Sequence, residues 1–146
     1  MNRIIEDVVG GLIEKELEVQ NIELIRNYDA NLPETMVDPD QIRQVIQNLI
    51  NNATDAIEGS GKITVTTRVE DHKVKVIVSD TGKGIARRRF KIIFNPGYTS
   101  KPRGWGLGLT LSRRIVNDYH KGHIFVKNSV VGEGTTFRII LKKKKK

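Results

Sequence analysis

The feature that most constrains the fold is a change of hydrophobic period in the middle of the chain. From Pro39 to Glu58 apolar residues recur at helical spacing, with Ile42, Val45, Ile46, Leu49, Ala53 and Ile57 on one stripe. After Gly59, Ser60 and Gly61 the period drops to two, first in Ile63 to Val69 and again in Lys73 to Ser79, across a short turn at Asp71 and His72. A one-sided helix and a hairpin with one apolar face each need a cover, and the simplest cover is the other element. The middle of the chain therefore predicts a helix layered on a sheet.

The flanking segments extend that layer. Asn2 to Leu17 reads as one helix, with Ile4, Ile5, Val8, Val9, Leu12, Ile13 and Leu17 in phase, weakened by Gly10 and Gly11. Ile22 to Tyr28 reads as a strand. Asp38, Pro39 and Gln41 form a strong helix start: a capping acid, a proline at the first helical position and a glutamine placed for a capping box. A last helix is expected from about Leu107 to His120, ended by Gly122, and His123 to Lys127 pairs with Thr135 to Leu141 around Gly132 and Gly134. Between Asp80 and Arg103 lies a long irregular segment, a length that compact domains usually keep for function. The order α-β-α-β-β-α-β-β predicts an α+β two-layer sandwich. It has roughly five strands in a mixed sheet and three helices on one face. No repeat or linker divides residues 1–146, so one domain is expected.

Composition narrows the function. The chain has no cysteine, which removes disulfides, thiolate zinc sites and cysteine nucleophiles and fits a cytosolic setting. No apolar run approaches the ~20 residues of a membrane span, and the first residues lack the apolar core of a signal peptide. The net charge is +8, but five of those charges are Lys142 to Lys146. A solvated tail is the plainer reading, and nucleic acid is not an expected partner.

Five short stretches offer chemistry. Asn48, Asn52 and Asp55 share the edge of the second helix's apolar stripe, where hard oxygen donors suit Mg²⁺ shared with phosphates and water. Asp80, at the mouth of a strand and followed by Gly82 and Gly84, suits an exocyclic amine and a flat ring lying close to backbone. In GWGLGL, Gly104, Gly106 and Gly108 lead into a helix whose first amides are unpaired and attract anions, while Leu107 and Leu109 read as anchors of the helix end. Thr99, Ser100, Lys101 and Arg103 supply donors and positive charge, and Phe94 and Tyr98 could tether the loop that carries them. Thr135, after the turn Gly132 to Gly134, is placed to hydrogen-bond a purine.

Taken in order, QVIQNLINNATDAI, VSDTGKGI, IFNPGYTSKPRGWGLGL and GEGTTF resemble the asparagine box, the phenylalanine box and the three glycine boxes of the GHKL ATP-binding superfamily. The likeness is closest to the catalytic ATP-binding domain of bacterial sensor histidine kinases and covers nearly the whole chain. It implies a Bergerat-type ATP-binding fold with a long ATP lid over Ala86 to Arg103. It implies that Asn52 ligates Mg²⁺ with Asn48 assisting, and that Asp80 binds the adenine amine with Gly84 and Thr135. Gly104, Gly106 and Gly108 would meet the phosphates, and Lys101, with Arg103 behind it, the terminal one. Asp55, Gly82, Ile85, Tyr98, Thr99, Leu107 and Leu109 complete the expected nucleotide contacts, and Asn48, Asn52 and Lys101 the catalytic set.

The same resemblance implies a function in two-component signalling. The domain would bind Mg-ATP and supply the terminal phosphoryl group to a histidine on a separate dimerising helical hairpin, leaving ADP. The phosphate would then pass to a response regulator. His72, His120 and His123 lack the acceptor pattern of a histidine trailed by an acid, a basic residue and a proline, so all three read as structural or exposed. The chain thus reads as a monomeric, cytoplasmic catalytic domain without its acceptor, expected to bind nucleotide and not to autophosphorylate alone.

Two departures stand out. The second phenylalanine of the phenylalanine box is Tyr98, preceded by Gly97. Relatives that hydrolyse ATP carry a glutamate base four residues before the metal asparagine, and here that position is Asn48, an amide that cannot take a proton. The alternatives are a GHKL ATPase acting as a clamp or chaperone, and a nucleotide-dependent binding module, including an anti-sigma serine kinase.

Overall fold

The computed structural model describes residues 1–96 and 108–143. Helices α1 (Asn2–Val9) and α2 (Leu12–Val19) precede strand β1 (Ile22–Asn27), helix α3 (Pro39–Ala56) and the hairpin β2 (Gly61–Glu70) and β3 (Lys73–Asp80). Short 3-10 turns at Arg87–Arg89 and Ile92–Phe94 follow. Helix α4 (Gly108–Arg113), a π-helical turn Arg114–Tyr119, and strands β4 (His123–Val130) and β5 (Gly134–Lys142) complete the described chain. The sheet order is β1-β2-β3-β5-β4, with β1 parallel to β2 and every other pair antiparallel. This is the expected mixed five-stranded sheet.

α3 packs its stripe against the sheet. Ile42, Val45, Ile46, Leu49, Ala53 and Ile57 are buried as the periodicity predicts, and Ile50 joins them. They meet Ile63, Val65, Val76, Val78, Phe137 and Ile139, the alternate residues of the facing strands. Asp38 caps α3 through Oδ1, which accepts from the amides of Asp40 (3.0 Å) and Gln41 (3.3 Å). The reciprocal half of the capping box is filled from elsewhere. The Asp38 amide donates to Nε2 of His120 at 3.0 Å, so a distant histidine takes the place expected for Gln41.

The single helix expected over Asn2 to Leu17 is two helices. Gly11 adopts φ 67, ψ −120, outside the helical region, and the chain turns there. Ile5, Val8 and Val9 are buried before the break, whereas Leu12 beyond it is 71% exposed. Arg26 on β1 clasps both pieces, pairing with Glu6 of α1 and, at 2.6 Å, with Glu14 of α2. The last helix also departs from expectation. Its second half widens into a π-turn, and the Ile115 carbonyl accepts from both the amide (3.1 Å) and Nδ1 (2.8 Å) of His120. Among the described residues no helix is long and apolar enough to cross a membrane.

Candidate functional site

Three backbone features bring the sequence motifs together. The register of β3 and β5 sets Asp80 opposite Thr135 at the end of the sheet. The end of α3 lies over the loop after β3, where the Lys83 amide donates to the Ala56 carbonyl at 2.8 Å. The start of α4 lies against the middle of α3, with Asn48 beside Gly108.

Asp80 is half-buried, and its Oδ1 accepts from the Gly82 amide at 2.8 Å. Burial pushes its carboxyl above the ordinary 3.8, while the amides of Gly82 and Thr135 pull it back. An acid held this way at a strand mouth keeps an acceptor for a ligand amine in a partly desolvated setting. Thr135 is buried, and its hydroxyl lies 2.7 Å from Ser129 Oγ. A cleft of about 180 Å³ has Asp80, Ser129, Gly134 and Thr135 in its wall. A second cleft, about 240 Å³, lies between α2 and α3 and contains none of the expected site residues.

The glycines of this loop have structural reasons of their own. A Cβ on Gly82 would sit 2.5 Å from the Ala56 carbonyl oxygen, and one on Gly84, at φ 76, would sit 2.3 Å from that of Val130. The nearest neighbour at both positions is therefore protein backbone, and the glycines let α3 and the β4–β5 connection close on the loop. At Gly108 the nearest atom to a Cβ among the described residues would be Asn48 Cγ at 3.6 Å, an ordinary contact.

Asn48 and Asn52 are half-buried and Asp55 is exposed, in keeping with a stripe at the edge of the core. Asn48 Nδ2 donates to the Gly108 carbonyl and to Ser112 Oγ, both at 3.1 Å. Ser112 Oγ in turn donates to the same carbonyl at 2.8 Å. The nitrogen end of the amide is thereby committed, which leaves Oδ1 as the end with acceptor capacity. Ile85 donates its amide to Ser129 Oγ at 2.7 Å and packs at the rim of the core, as does Leu109, consistent with an anchor. Phe94 is buried edge-on to Phe137 with centroids 6.2 Å apart, and Thr110 Oγ1 holds its carbonyl at 2.9 Å. It is thus one tether of the expected lid. Tyr98, Thr99, Ser100, Lys101, Arg103, Gly104, Gly106 and Leu107 lie outside the described residues.

Sequence reasoning missed two serines. Ser112, fully buried, fixes Asn48, and Ser129 joins the Asp80 loop to the turn before β5 by bonding Ile85, Gly134 and Thr135. Ser112 carried a weak signal, a small polar residue four positions after Gly108 within an amphipathic run. Ser129 carried none.

Known proteins share this sequence pattern and this fold. The sequence profile of the family described as histidine kinase-, DNA gyrase B-, and HSP90-like ATPase matches residues 37–145. The sensor histidine kinase ZraS of Escherichia coli (strain K12) is 40% identical over 130 residues, 89% of this chain and 28% of its own. Sporulation kinase E of Bacillus subtilis (strain 168) is 32% identical over 143 residues, 97% of this chain and 19% of its own. The chain therefore spans under a third of these relatives. The nucleotide-free catalytic domain of histidine kinase ThkA superposes with a TM-score of 0.88 at 33% identity, covering 98% of this chain and 92% of that one. ThkA has also been solved in complex with the response regulator TrrA, where this chain matches 40% of the kinase with a TM-score of 0.84 at 30% identity. With its boxes in order, its Asp80–Thr135 register and these matches, the chain is an ATP-binding catalytic domain and belongs to the histidine kinase-, DNA gyrase B-, and HSP90-like ATPase family.

Proposed function

We propose that the domain binds Mg-ATP and delivers its terminal phosphoryl group to a histidine on a dimerising helical hairpin of the parent kinase, which then serves a response regulator in the cytoplasm. The observation that carries this reading is the commitment of Asn48 Nδ2 to Gly108 and Ser112. A neutral amide whose oxygen end keeps its acceptor capacity offers a ligand for a hard cation and no base for water. Asn52, one helical turn along α3, would supply the second amide oxygen. The donor chemistry fits Mg²⁺, which takes one or two protein oxygens and completes its shell with phosphates and water. The cation, when bound, offsets the charge of the phosphate oxygens.

The chain's own residues then do three things. Asp80 accepts from the adenine amine and Thr135 orients the ring edge. The bare backbone at Gly108, with Gly104 and Gly106 before it, approaches the phosphates. Lys101 neutralises the terminal phosphate as an incoming imidazole attacks in line. Catalysis of this kind rests on positioning and electrostatics. The likeness to a kinase solved with its response regulator supports the assignment to two-component signalling.

The test is calorimetry with ADP, with and without Mg²⁺, followed by transfer of labelled phosphate from ATP to a separately supplied hairpin carrying an acceptor histidine. Mg-dependent binding and label on the histidine are expected, with slow release of free phosphate. Rapid hydrolysis without transfer would place the domain with the clamp and chaperone ATPases instead.

A further inference from the structure

The described helices cover one face of the sheet, and strand register identifies the residues of the other. One row across the strands reads Thr66, Ile77, Arg138, Phe125, and the next reads Arg68, Lys75, Ile140, His123. By the same alternation this face carries Lys62, Arg68, Lys73, Lys75, Arg138 and Lys142 against only Glu23 and Glu70. It is therefore strongly cationic, although most of the chain's basic tail lies elsewhere in the sequence.

The two central cations differ. Lys75 Nζ reaches Glu70 at 3.0 Å, and Arg68 Nε approaches the same carboxylate at 3.3 Å. Arg138 is 8% exposed, and its Nε is the one buried side-chain polar atom without a hydrogen-bond partner among the described residues. Its cross-strand neighbours are Ile77 and Phe125, which are half-buried, and Phe125 stacks on His123 with centroids 4.9 Å apart. A buried Nε–H without an acceptor is costly, and the carboxylate that acts on this guanidinium, Glu70, is already shared with Lys75 and Arg68, so a ligand that brings a further carboxylate completes the pairing of the group.

We propose that this helix-free face is a docking surface for an acidic, partly apolar segment of a partner polypeptide. One of its carboxylates pairs with Arg138 and its apolar side chains pack on Ile77 and Phe125. The guanidinium fork matches a carboxylate bidentately. An extended segment presents alternate side chains to a sheet, so one row of its residues meets one row here. A polypeptide fits better than a nucleic acid or a bilayer. The central cations are sunk between apolar residues, where a phosphate backbone reads exposed ones, and Glu23 and Glu70 on the same face repel a uniform polyanion. Asp80 and Thr135 belong to the helix-covered face, so this surface is separate from the nucleotide site.

Fluorescence anisotropy with a fluorescein-labelled octapeptide alternating Glu and Leu tests it, with a Lys–Leu octapeptide as control. Saturable binding of the acidic peptide alone is expected, weakened about tenfold or more by Arg138→Met and less by Arg138→Lys, which keeps charge but loses the fork. Amide NMR shifts should centre on Ile77, Arg138 and Phe125 and leave Asp80 unmoved. Arg138→Met should melt no lower than the parent, because it removes a buried Nε–H that has no acceptor. If it fails to fold, Arg138→Lys carries the test. Absence of saturable binding, equal binding by the Arg138 variants, or Arg138-dependent binding of heparin or phosphatidylserine vesicles in place of the peptide would each overturn the proposal. ADP binding is unaffected in every arm, so failure here is distinct from failure of the kinase reading.

Discussion

Asn48 on α3 and Ser112 on α4 meet side chain to side chain, Nδ2 donating to Oγ across 3.1 Å, and both bond the carbonyl of Gly108. This three-membered knot joins the helix expected to hold the metal to the helix expected to meet the phosphates. Ser112→Ala removes one acceptor from the knot and is expected to cost about 1–2 kcal/mol. Asn48→Asp removes both donors while keeping an oxygen, and is expected to cost more, up to about 3 kcal/mol. Denaturant unfolding of the two variants ranks them, and the opposite order would argue against the donor role.

In the proposed reading, Asn48 holds the position that a base for water would hold in an efficient ATPase. Asn48→Glu should lower Tm, since a carboxylate cannot donate to Gly108. It should also raise ATP hydrolysis per bound nucleotide. Turnover measured at nucleotide saturation separates the two effects. Unchanged turnover would mean that water and this position are not aligned.

At the proposed adenine end, Asp80→Asn is expected to weaken ADP binding roughly ten- to a hundredfold, the worth of a hydrogen bond to a charged acceptor. The same variant should be more stable than the parent at neutral pH. The folded carboxyl titrates above its ordinary 3.8, so ionisation costs the native state. That cost is absent below 3.8, grows as pH rises and is complete above the folded value. Melting curves of the two proteins should therefore converge at acid pH and separate toward neutrality.

Gly82 and Gly108 make a matched pair. Gly82→Ala drives a Cβ to 2.5 Å from the Ala56 carbonyl oxygen, which cannot swing aside as a side chain does. A loss of about 1–3 kcal/mol is expected. Among the described residues Gly108→Ala meets nothing nearer than 3.6 Å and should leave Tm unchanged or slightly raised. If backbone there serves phosphate, ADP affinity falls all the same, and calorimetry beside a thermal melt reads both.

The β2–β3 turn offers a stability gain away from any site. Asp71 and His72 both hold positive φ, 54 and 62, as a two-residue hairpin turn of the primed type requires. His72→Gly relieves the left-handed strain at the second position, partly offset by a freer unfolded chain, for a net gain of about 0.5–1 kcal/mol. A rise in Tm with unchanged ADP binding is the expected result.

Much of this architecture was legible before any coordinates. The stripe Ile42 to Ile57, the alternating runs on either side of Asp71 and the cap at Asp38 are local signals, and each local preference agreed with the element formed. The helix break at Gly11 was only half-legible. Two glycines weaken a helix, but whether it bends depends on what the two halves pack against, and here Arg26 holds Glu6 and Glu14 from a later strand. Asn48 stood out as a candidate site residue, but its partner Ser112 lies 64 positions away and no periodicity connects them.

By itself the sequence determined the central helix and the strands, their order, the buried stripe and the family, because these rest on period, turn chemistry and motifs confined to short windows. The tertiary structure decided which end of the Asn48 amide is committed, why Gly82 and Gly84 must lack a Cβ, which residue takes the free amide of Asp38, and that Arg138 is buried on the open face with its Nε unsatisfied. Each of these depends on atoms from distant segments meeting within hydrogen-bond or contact range, a distance that only the folded chain sets.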